Sequence, residues 1–186
     1  MSRYAPIDRA APQMWTVPDW MSATECADAI ARAEALGFET ASIAYREGAR
    51  VDLDARNNAR VTLEDEALAA VMFERARPHL PPLDGGHAIA LSPRWRVYRY
   101  APEERFTVHR DGFVRRDDGA TSRVTLMIYL CDVEAGGETA FPSESRVVAP
   151  RTGTAVFFQH ALLHEARPVL AGRKYVLRTD VLYAPG

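Results

Sequence analysis

The spacing of apolar residues changes near residue 90, and this change divides the chain into two parts. Before it, apolar residues recur at helical spacing, and we expect two helices. The first follows the capping box Ser22-Ala-Thr-Glu25 and covers Ala23–Leu36, with Gly37 as its stop. The second begins at the acidic residues after Thr62 and ends near Ala76. Between them, 42–45 resembles a strand and 46–58 a polar loop.

After residue 90 the apolar period is two, which is typical of β-strands. We expect eight short strands, at roughly 92–100, 105–111, 122–131, 137–141, 145–149, 153–159, 163–169 and 173–183. This order predicts a mainly β fold with N-terminal helices. The expected architecture is a double-stranded β-helix (jelly roll) with supporting α-helices. We expect one domain over 1–186, with 1–90 as helical support and 91–184 as the jelly-roll core.

Composition narrows the class of protein. The 186 residues are 47% hydrophobic and 26% charged, with a formal net charge of -2, so no nucleic-acid partner is expected. No apolar run approaches the roughly 18 residues of a membrane span. The first residues lack a secretory h-region, and Cys26 and Cys131 read as free thiols. A cytoplasmic location follows as the expectation.

Two metal-capable side chains, His109 and Asp111, stand one residue apart in the predicted strand 105–111. Alternate residues of a strand face the same side, so the imidazole and the carboxylate would point together. His164, at the start of a later predicted strand, supplies a third ligand, with His160 as its competitor. Two imidazoles and one carboxylate leave half of an octahedron open, which is the facial triad of non-heme Fe(II) oxygenases.

Two cations follow His164 on the last predicted strand. Lys174 and Arg178 are four residues apart and would share one strand face. A buried cation needs an anion, and an inward Lys174 would suit the distal carboxylate of a dicarboxylate co-substrate. The alternative is that both cations lie on the solvated outer face.

The motifs from Tyr100 to Tyr183 resemble the catalytic domain of Fe(II)/2-oxoglutarate-dependent dioxygenases of the prolyl 4-hydroxylase type. The matching pieces, in order, are Tyr100 and Phe106 before His109-Arg-Asp111, then Thr125-Leu-Met-Ile-Tyr129-Leu, Gly136-Gly-Glu-Thr-Ala-Phe-Pro142, Gly153-Thr-Ala-Val-Phe-Phe, His164-Glu-Ala-Arg-Pro-Val169 and Gly172-Arg-Lys174-Tyr. The first 90 residues resemble this family only in having helices before the core.

The resemblance implies a role for each matching residue. His109, Asp111 and His164 would hold Fe(II), and Lys174 would bind the 5-carboxylate of 2-oxoglutarate. The other expected co-substrate contacts are Tyr129, Tyr100 and Thr139. Arg178 stands where relatives often have a smaller residue, so it either shares the carboxylate with Lys174 or replaces it as the anchor.

The implied activity is hydroxylation with release of succinate and CO₂, using O₂, with ascorbate as a further candidate cofactor. The carboxylate at Asp111 favours hydroxylation over halogenation. The substrate stays open among a prolyl or peptide side chain, a free amino acid and another small acid. Loop arginines suit a carboxylate or phosphate by bidentate pairing, and the alternative is that they are solvated loop charges. These arginines are Arg56, Arg60, Arg115 and Arg116. Two other classes remain: a non-catalytic jelly-roll Zn²⁺ module with the same three ligands, and a metal-free cupin-like binding scaffold. The sequence does not indicate an oligomeric state.

Overall fold

A computed structural model describes residues 4–45 and 48–185 of the chain. The helices are α1 (Ala23–Leu36) and α2 (Glu66–Ala76), with 3-10 turns at Arg77–His79 and Pro142–Glu144. The strands are β1 (Met14–Val17), β2 (Glu39–Thr40), β3 (Ile43–Tyr45), β4 (Gly48–Arg50), β5 (Ala59–Glu64), β6 (Ala88–Leu91), β7 (Arg94–Tyr100), β8 (Phe106–His109), β9 (Thr121–Tyr129), β10 (Ala135–Gly136), β11 (Thr139–Phe141), β12 (Arg146–Val148), β13 (Ala155–Gln159), β14 (His164–Ala166), β15 (Val169–Ala171) and β16 (Lys174–Tyr183).

The larger sheet is antiparallel and has the order β1-β13-β9-β16-β7-β5-β2, with β6 also paired to β16. Its central strands β9 and β16 are buried along almost their whole length. A sheet covered on both faces needs apolar side chains at consecutive positions. This explains why the sequence Leu126-Met-Ile-Tyr129 shows no alternation.

The smaller sheet has the order β12-β11-β14-β8 and packs against one face of the larger sheet. The apolar cluster between the two sheets contains Met127 and Phe158 from the larger sheet and Phe141 from the smaller one. Two antiparallel sheets enclosing a core form the jelly roll, and the predicted fold class is confirmed. The face of β16 that carries Lys174, Val176 and Arg178 looks into this space.

The two helices cover the opposite face of the larger sheet. Cys26 and Met72 from the helices share an apolar cluster with Leu177 of β16. The capping box of α1 is present, because the Ser22 side chain accepts from the Glu25 N–H and the Glu25 carboxylate accepts from the Ser22 N–H. The predicted bounds of α1 are therefore confirmed. Within the described ranges, none of the helices is long and apolar enough to cross a membrane.

The predicted start of the second helix is wrong. Leu63 and Glu64 lie in β5, which pairs with β7 along its whole length. The helix begins at Glu66, and the Asp65 carboxylate caps it by accepting from the Leu68 N–H at 2.8 Å. The acidic residues do mark a helix N-terminus, but strand pairing takes the residues before Asp65 into the sheet.

The N-terminal part supplies more strands than predicted: β3 matches the strand predicted at 42–45, but helical support for 1–90 did not anticipate the strands that extend the larger sheet. β1 pairs with β13 at one edge of the larger sheet, and β5 and β2 extend the other edge. Within the predicted loop 46–58, β4 pairs with β3, while residues 46 and 47 lie outside the described residues. Proline limits two predicted strands, since Pro93 precedes β7 and Pro168 separates β14 from β15.

Gly153 joins the start of α1 to the larger sheet. Its carbonyl accepts from the Trp20 and Met21 N–H groups at 2.8 and 3.1 Å. Its φ is +77°, and a Cβ at this position would overlap the Met21 carbonyl oxygen. Because the Met21 backbone lies this close, only glycine fits at position 153.

We expect Gly153→Ala to lower the free energy of unfolding by about 2–4 kcal/mol, from backbone strain plus the clash with Met21. Gly119→Ala is the matched control, because Gly119 has a φ of +88° but its nearest atom to a new Cβ lies 3.9 Å away. It should lose only about 1 kcal/mol. Urea unfolding measures both losses, and equal losses would show that the close approach at Met21 is unimportant.

Candidate metal centre

The antiparallel pair β8 and β14 brings His109 and His164 together. The two residues are direct partners in the strand register, and their ring centroids lie 4.2 Å apart. Asp111 joins them, and the candidate ligand atoms of the three residues all lie within 4.8 Å of one another. The three side chains predicted as a metal site thus converge in one place.

Asp111 faces the two imidazoles as predicted, but strand alternation is not what places it there. β8 ends at His109, so strand alternation does not extend to Asp111. Instead, the Asp111 N–H donates to the His160 carbonyl at 2.9 Å, which ties this segment to the chain after β13. The carboxylate still faces both imidazoles, with Oδ1 4.0 Å from His109 Nε2 and Oδ2 3.7 Å from His164 Nε2.

Backbone carbonyls orient both imidazoles. His109 Nδ1 lies 2.7 Å from the Thr107 carbonyl, and His164 Nδ1 lies 2.9 Å from the Leu162 carbonyl. A carbonyl only accepts, so Nδ1 carries the hydrogen and Nε2 keeps its lone pair for a metal. Burial lowers the pKa of His109 to about 3 and also lowers the pKa of His164, so both rings are neutral at pH 7.

Two neighbours hold the Asp111 carboxylate in place and in its charged form. Arg178 Nη2 lies 3.0 Å from Oδ2, and the Thr125 hydroxyl donates to the same oxygen at 2.7 Å. Burial alone would raise the pKa of Asp111, but the Arg178 charge together with the neighbouring histidines outweighs burial, and the pKa is lowered. A charged carboxylate with one oxygen occupied presents its other oxygen, Oδ1, to a metal.

His160, the competing candidate for third ligand, lies behind the site. It is 1% exposed, and its Nδ1 lies 2.9 Å from the Thr125 hydroxyl. Its Nε2 faces Asp180 at 3.9 Å and is not part of the group around Asp111. The geometry therefore assigns the third position to His164.

Arg178 is occupied by two carboxylates. Besides Asp111 it pairs with Asp180 at 3.1 Å, and the same Asp180 pairs with Arg96 at 3.3 Å. Burial would lower the pKa of Arg178, but the two carboxylates outweigh this effect and raise it. These pairs compensate the buried charges among themselves, so Arg178 is not free for a co-substrate carboxylate.

Lys174 lies deeper in the cavity and has no such partner. It is 1% exposed, and its Nζ lies 5.2 and 5.4 Å from the ring centroids of Tyr100 and Tyr129. In the described part of the chain no carboxylate lies within ion-pair distance of its Nζ. Burial lowers the pKa of Lys174 to about 7, although the Glu138 charge acts in the opposite direction.

The remaining predicted contacts surround Lys174. Tyr100 and Thr139 line the cavity. The Tyr129 hydroxyl donates to the Thr139 hydroxyl at 2.7 Å, so the two side chains are already connected. Burial raises the pKa of Tyr100 to about 12 and raises that of Tyr129, so both phenols stay protonated as hydrogen-bond donors.

Sequence reasoning missed several residues of the site. Thr125 begins one of the matched motifs but was given no role, and Asp180 was not singled out, although the strand period would have placed Asp180 on the same face as Arg178. Of the loop arginines, Arg116 pairs with its neighbour Asp118 at 2.8 Å and does not line the cavity. Arg56 is instead buried against the cavity wall.

A mainly β fold with a His-Asp-His group and a buried lysine between its sheets defines a class of metal-dependent oxygenases, and comparisons with known proteins agree. Residues 95–179 match the model of the 2OG-Fe(II) oxygenase superfamily. Human prolyl 4-hydroxylase subunit alpha-1 is 32% identical over 108 residues, which cover 49% of this chain and 20% of that protein. Prolyl 4-hydroxylase 13 of Arabidopsis thaliana is 26% identical over 196 residues, covering 89% of this chain and 69% of that protein.

Among solved structures, the viral collagen prolyl hydroxylase of Paramecium Bursaria Chlorella virus-1 has a TM-score of 0.66 at 22% identity, covering 95% of this chain and 98% of that one. This likeness concerns the fold. Together with the matched motifs, these findings confirm the resemblance predicted from the sequence. Residues 95–179 are similar to the 2OG-Fe(II) oxygenase superfamily, and the two relatives described above are named prolyl 4-hydroxylases.

Fe(II), 2-oxoglutarate and O₂ are the cofactors that this superfamily implies, and the residues fit a ferrous ion. Two neutral imidazoles and one charged carboxylate offer three ligand atoms on one side of a cavity. That donor set, with no thiolate, is the one that open non-heme iron sites use. Carbonyl groups behind both imidazoles fix the tautomers that such a site needs.

We expect His164→Ala to weaken Mn(II) binding, used as a redox-stable probe of the iron site, by more than about tenfold, because one of three ligands is lost. His160→Gln is the matched control and should weaken binding less than His164→Ala does, since His160 contacts Thr125 and supplies no ligand atom to the metal position. Calorimetric titration measures both. A larger loss from His160→Gln would reverse the assignment of the third ligand.

Proposed function

We propose that this protein is an Fe(II)- and 2-oxoglutarate-dependent dioxygenase that hydroxylates a small-molecule or peptide substrate and releases succinate and CO₂. The observation that carries the proposal is that one cavity contains both a candidate metal site with three ligands and a buried cation, Lys174, that has no ion-pair partner among the described residues. Bound Fe(II) would supply oxidative decarboxylation of 2-oxoglutarate, with one oxygen atom passing to succinate and the other to the substrate.

The chain's own residues bind and orient 2-oxoglutarate. Lys174 donates to the 5-carboxylate, which supplies the anion that this buried ammonium lacks. Tyr100 and Thr139 border the same part of the cavity and are placed to donate to that carboxylate. Tyr129, through its hydrogen bond to Thr139, positions the Thr139 hydroxyl. Arg178 keeps Asp111 charged and oriented and leaves the co-substrate to Lys174.

The apolar wall of the cavity excludes water from the metal position. Met127, Phe158 and Val176 line it beside the ligands, and Phe106 stacks on the His109 ring at 3.5 Å between centroids. Excluding water protects reactive species from side reactions and strengthens each charge interaction inside the site. This arrangement suits oxygen chemistry at the metal.

A structural Zn²⁺ module, the alternative from another class, would use the same three ligands. It has no need of a buried lysine beside the metal, and burying Lys174 without an anion destabilises the fold. A metal-free binding scaffold would in turn not need two imidazoles with both Nε2 atoms directed at one carboxylate. Both observations favour the dioxygenase.

The substrate of this chain is a separate question from its chemistry. The relatives' names describe prolyl hydroxylases, and the human one is about five times longer than the matched region. A prolyl or peptide side chain, a free amino acid and another small acid therefore remain the candidate substrates.

The central test is the slow release of succinate from 2-oxoglutarate by the protein with Fe(II) and ascorbate in the absence of substrate. We expect succinate from the natural chain and none above background from Asp111→Ala, because the metal loses its only anionic ligand. Arg77→Ala, an exposed residue paired with Glu74 far from the cavity, is the control for mutation itself. Equal succinate from Asp111→Ala would count against the proposal.

The affinity for 2-oxoglutarate should depend on pH through Lys174. The free ammonium has a pKa of about 7 and the bound 5-carboxylate raises it, so binding above pH 7 must take up a proton. The affinity is therefore highest below pH 7. We expect it to be about tenfold weaker at pH 8 than at pH 6, measured by calorimetry with Mn(II) in place of iron.

Two variants test whether Lys174 causes this pH dependence. Lys174→Ala should bind about tenfold or more weakly at pH 6, because a buried charge pair is lost, and should show a smaller pH slope. Lys174→Arg keeps a charge that does not titrate and should also flatten the slope. If Arg178→Ala weakens binding and Lys174→Ala does not, Arg178 is the anchor.

A further inference from the structure

Arg56 is a buried cation beside the cavity that the proposed reaction does not use. It is 4% exposed, and its Nε donates to the Asn58 side chain at 3.0 Å. Its Nη2 is buried and has no hydrogen-bond partner among the described residues. Within residues 4–45 and 48–185, no carboxylate forms an ion pair with Arg56. A guanidinium stays charged at any physiological pH, so this is an uncompensated buried charge.

The neighbouring charges are accounted for without Arg56. Arg178 and Arg96 share the carboxylates Asp111 and Asp180. Arg60 lies 3.8 Å from the Glu39 carboxylate. In the proposed reaction the two carboxylates of 2-oxoglutarate go to the metal and to Lys174. With cofactors bound, Arg56 would still lack an anion.

The Arg56 guanidinium lies between two aromatic rings that line the cavity. Its Cζ is 4.1 Å from the Phe106 ring centroid and 4.9 Å from the Tyr98 ring centroid. Phe106 in turn stacks on the metal-site imidazole of His109. Arg56 is therefore one ring away from the metal centre. The cation–π attraction of these aromatic faces offsets only part of the free-energy cost of desolvating the charge.

We propose that the substrate carries a carboxylate group, and that Arg56 binds this group and positions the substrate next to the metal. This inference rests on the proposed function and narrows its substrate class to small carboxylic acids, including free amino acids, over neutral peptide segments. The planar fork of a single guanidinium suits a planar carboxylate.

Because Nη2 is enclosed, the side chains of this wall must shift when the carboxylate enters. Side-chain rotamer changes of this kind are common on ligand binding. In return, the carboxylate gives Nη2 the acceptor that it lacks and pairs a buried charge, so the affinity should depend strongly on the anionic group. The same compound with a neutral amide in place of the carboxylate should bind poorly.

The test uses the full chain loaded with Mn(II) and saturating 2-oxoglutarate, which does not turn over. Small aliphatic, aromatic and amino acids are each paired with their primary amides, and inorganic phosphate is added as a separate probe. Thermal unfolding and calorimetry report binding. We expect at least one acid to bind while its amide does not. Stabilisation by no acid, equal stabilisation by acids and amides, or stabilisation by phosphate alone would overturn the proposal.

Variants then locate the binding group. Arg56→Met should weaken binding of the best acid by about tenfold or more, and Arg56→Lys should be intermediate because it keeps the charge without the fork. Arg77→Met is the matched control and should bind like the natural chain. Unchanged affinity in Arg56→Met would overturn the assignment. If Arg56→Met does not fold, the comparison of acids with amides on the natural chain still tests whether the substrate carries a carboxylate.

Failure of this inference differs from failure of the proposed function. The binding experiments with Mn(II) need no catalysis, so they test only the inference about the substrate carboxylate. Succinate release without substrate tests only the proposed dioxygenase activity. For an acid that binds, mass spectrometry with Fe(II), 2-oxoglutarate and O₂ should detect a gain of one oxygen atom in the acid and not in its amide. Oxygen gain only in neutral peptides would contradict the carboxylate class while leaving the dioxygenase intact.

Discussion

The pairing of β8 with β14 is the constraint on which the rest of the site depends. Its register sets His109 opposite His164 and directs both imidazoles to one side. A slip of one residue would turn the His109 side chain to the other face and separate the ligands. The hydrogen bond from Asp111 to the His160 carbonyl adds the carboxylate to this pair. A metal site thus follows from one short strand pair and one loop contact.

Charge compensation explains why the same cavity is ready for anions. The buried carboxylates Asp111 and Asp180 are matched by Arg178 and Arg96, so this group has little net charge. Two cations beside the cavity, Lys174 and Arg56, have no such partner among the described residues. Both instead lie over aromatic rings, which tolerate a cation but do not neutralise it. The site is therefore prepared for ligands that bring their own negative charge.

The sequence predicted the parts of the molecule that local chemistry controls. The capping box and the glycine stop defined α1 because those interactions lie within a few residues. The motif order gave His109, Asp111 and His164 as the site residues, and the structure brings them together. Strand boundaries were less accurate, since partners distant in sequence decide where pairing starts and ends. The inclusion of Leu63 and Glu64 in β5 is an example.

The partners of Arg178 were not predictable in the same way. Its position on β16 indicated that it would share a face with Lys174, and it does. Its pairing with Asp111 depends on where the chain after β8 turns, which no local pattern records. The burial of Arg56 likewise results from its loop pairing against β8, with Thr107 N–H donating to the Ala55 carbonyl. Contacts between loops and sheet edges require the three-dimensional structure.

The most direct measurement is a crystal structure of the protein with Mn(II) and 2-oxoglutarate, with the metal located by its anomalous signal. The account predicts one metal ion bound by His109 Nε2, His164 Nε2 and a single oxygen of Asp111, with the 5-carboxylate of 2-oxoglutarate on Lys174. A metal bound through His160, or a 5-carboxylate held by Arg178 away from Lys174, would contradict it.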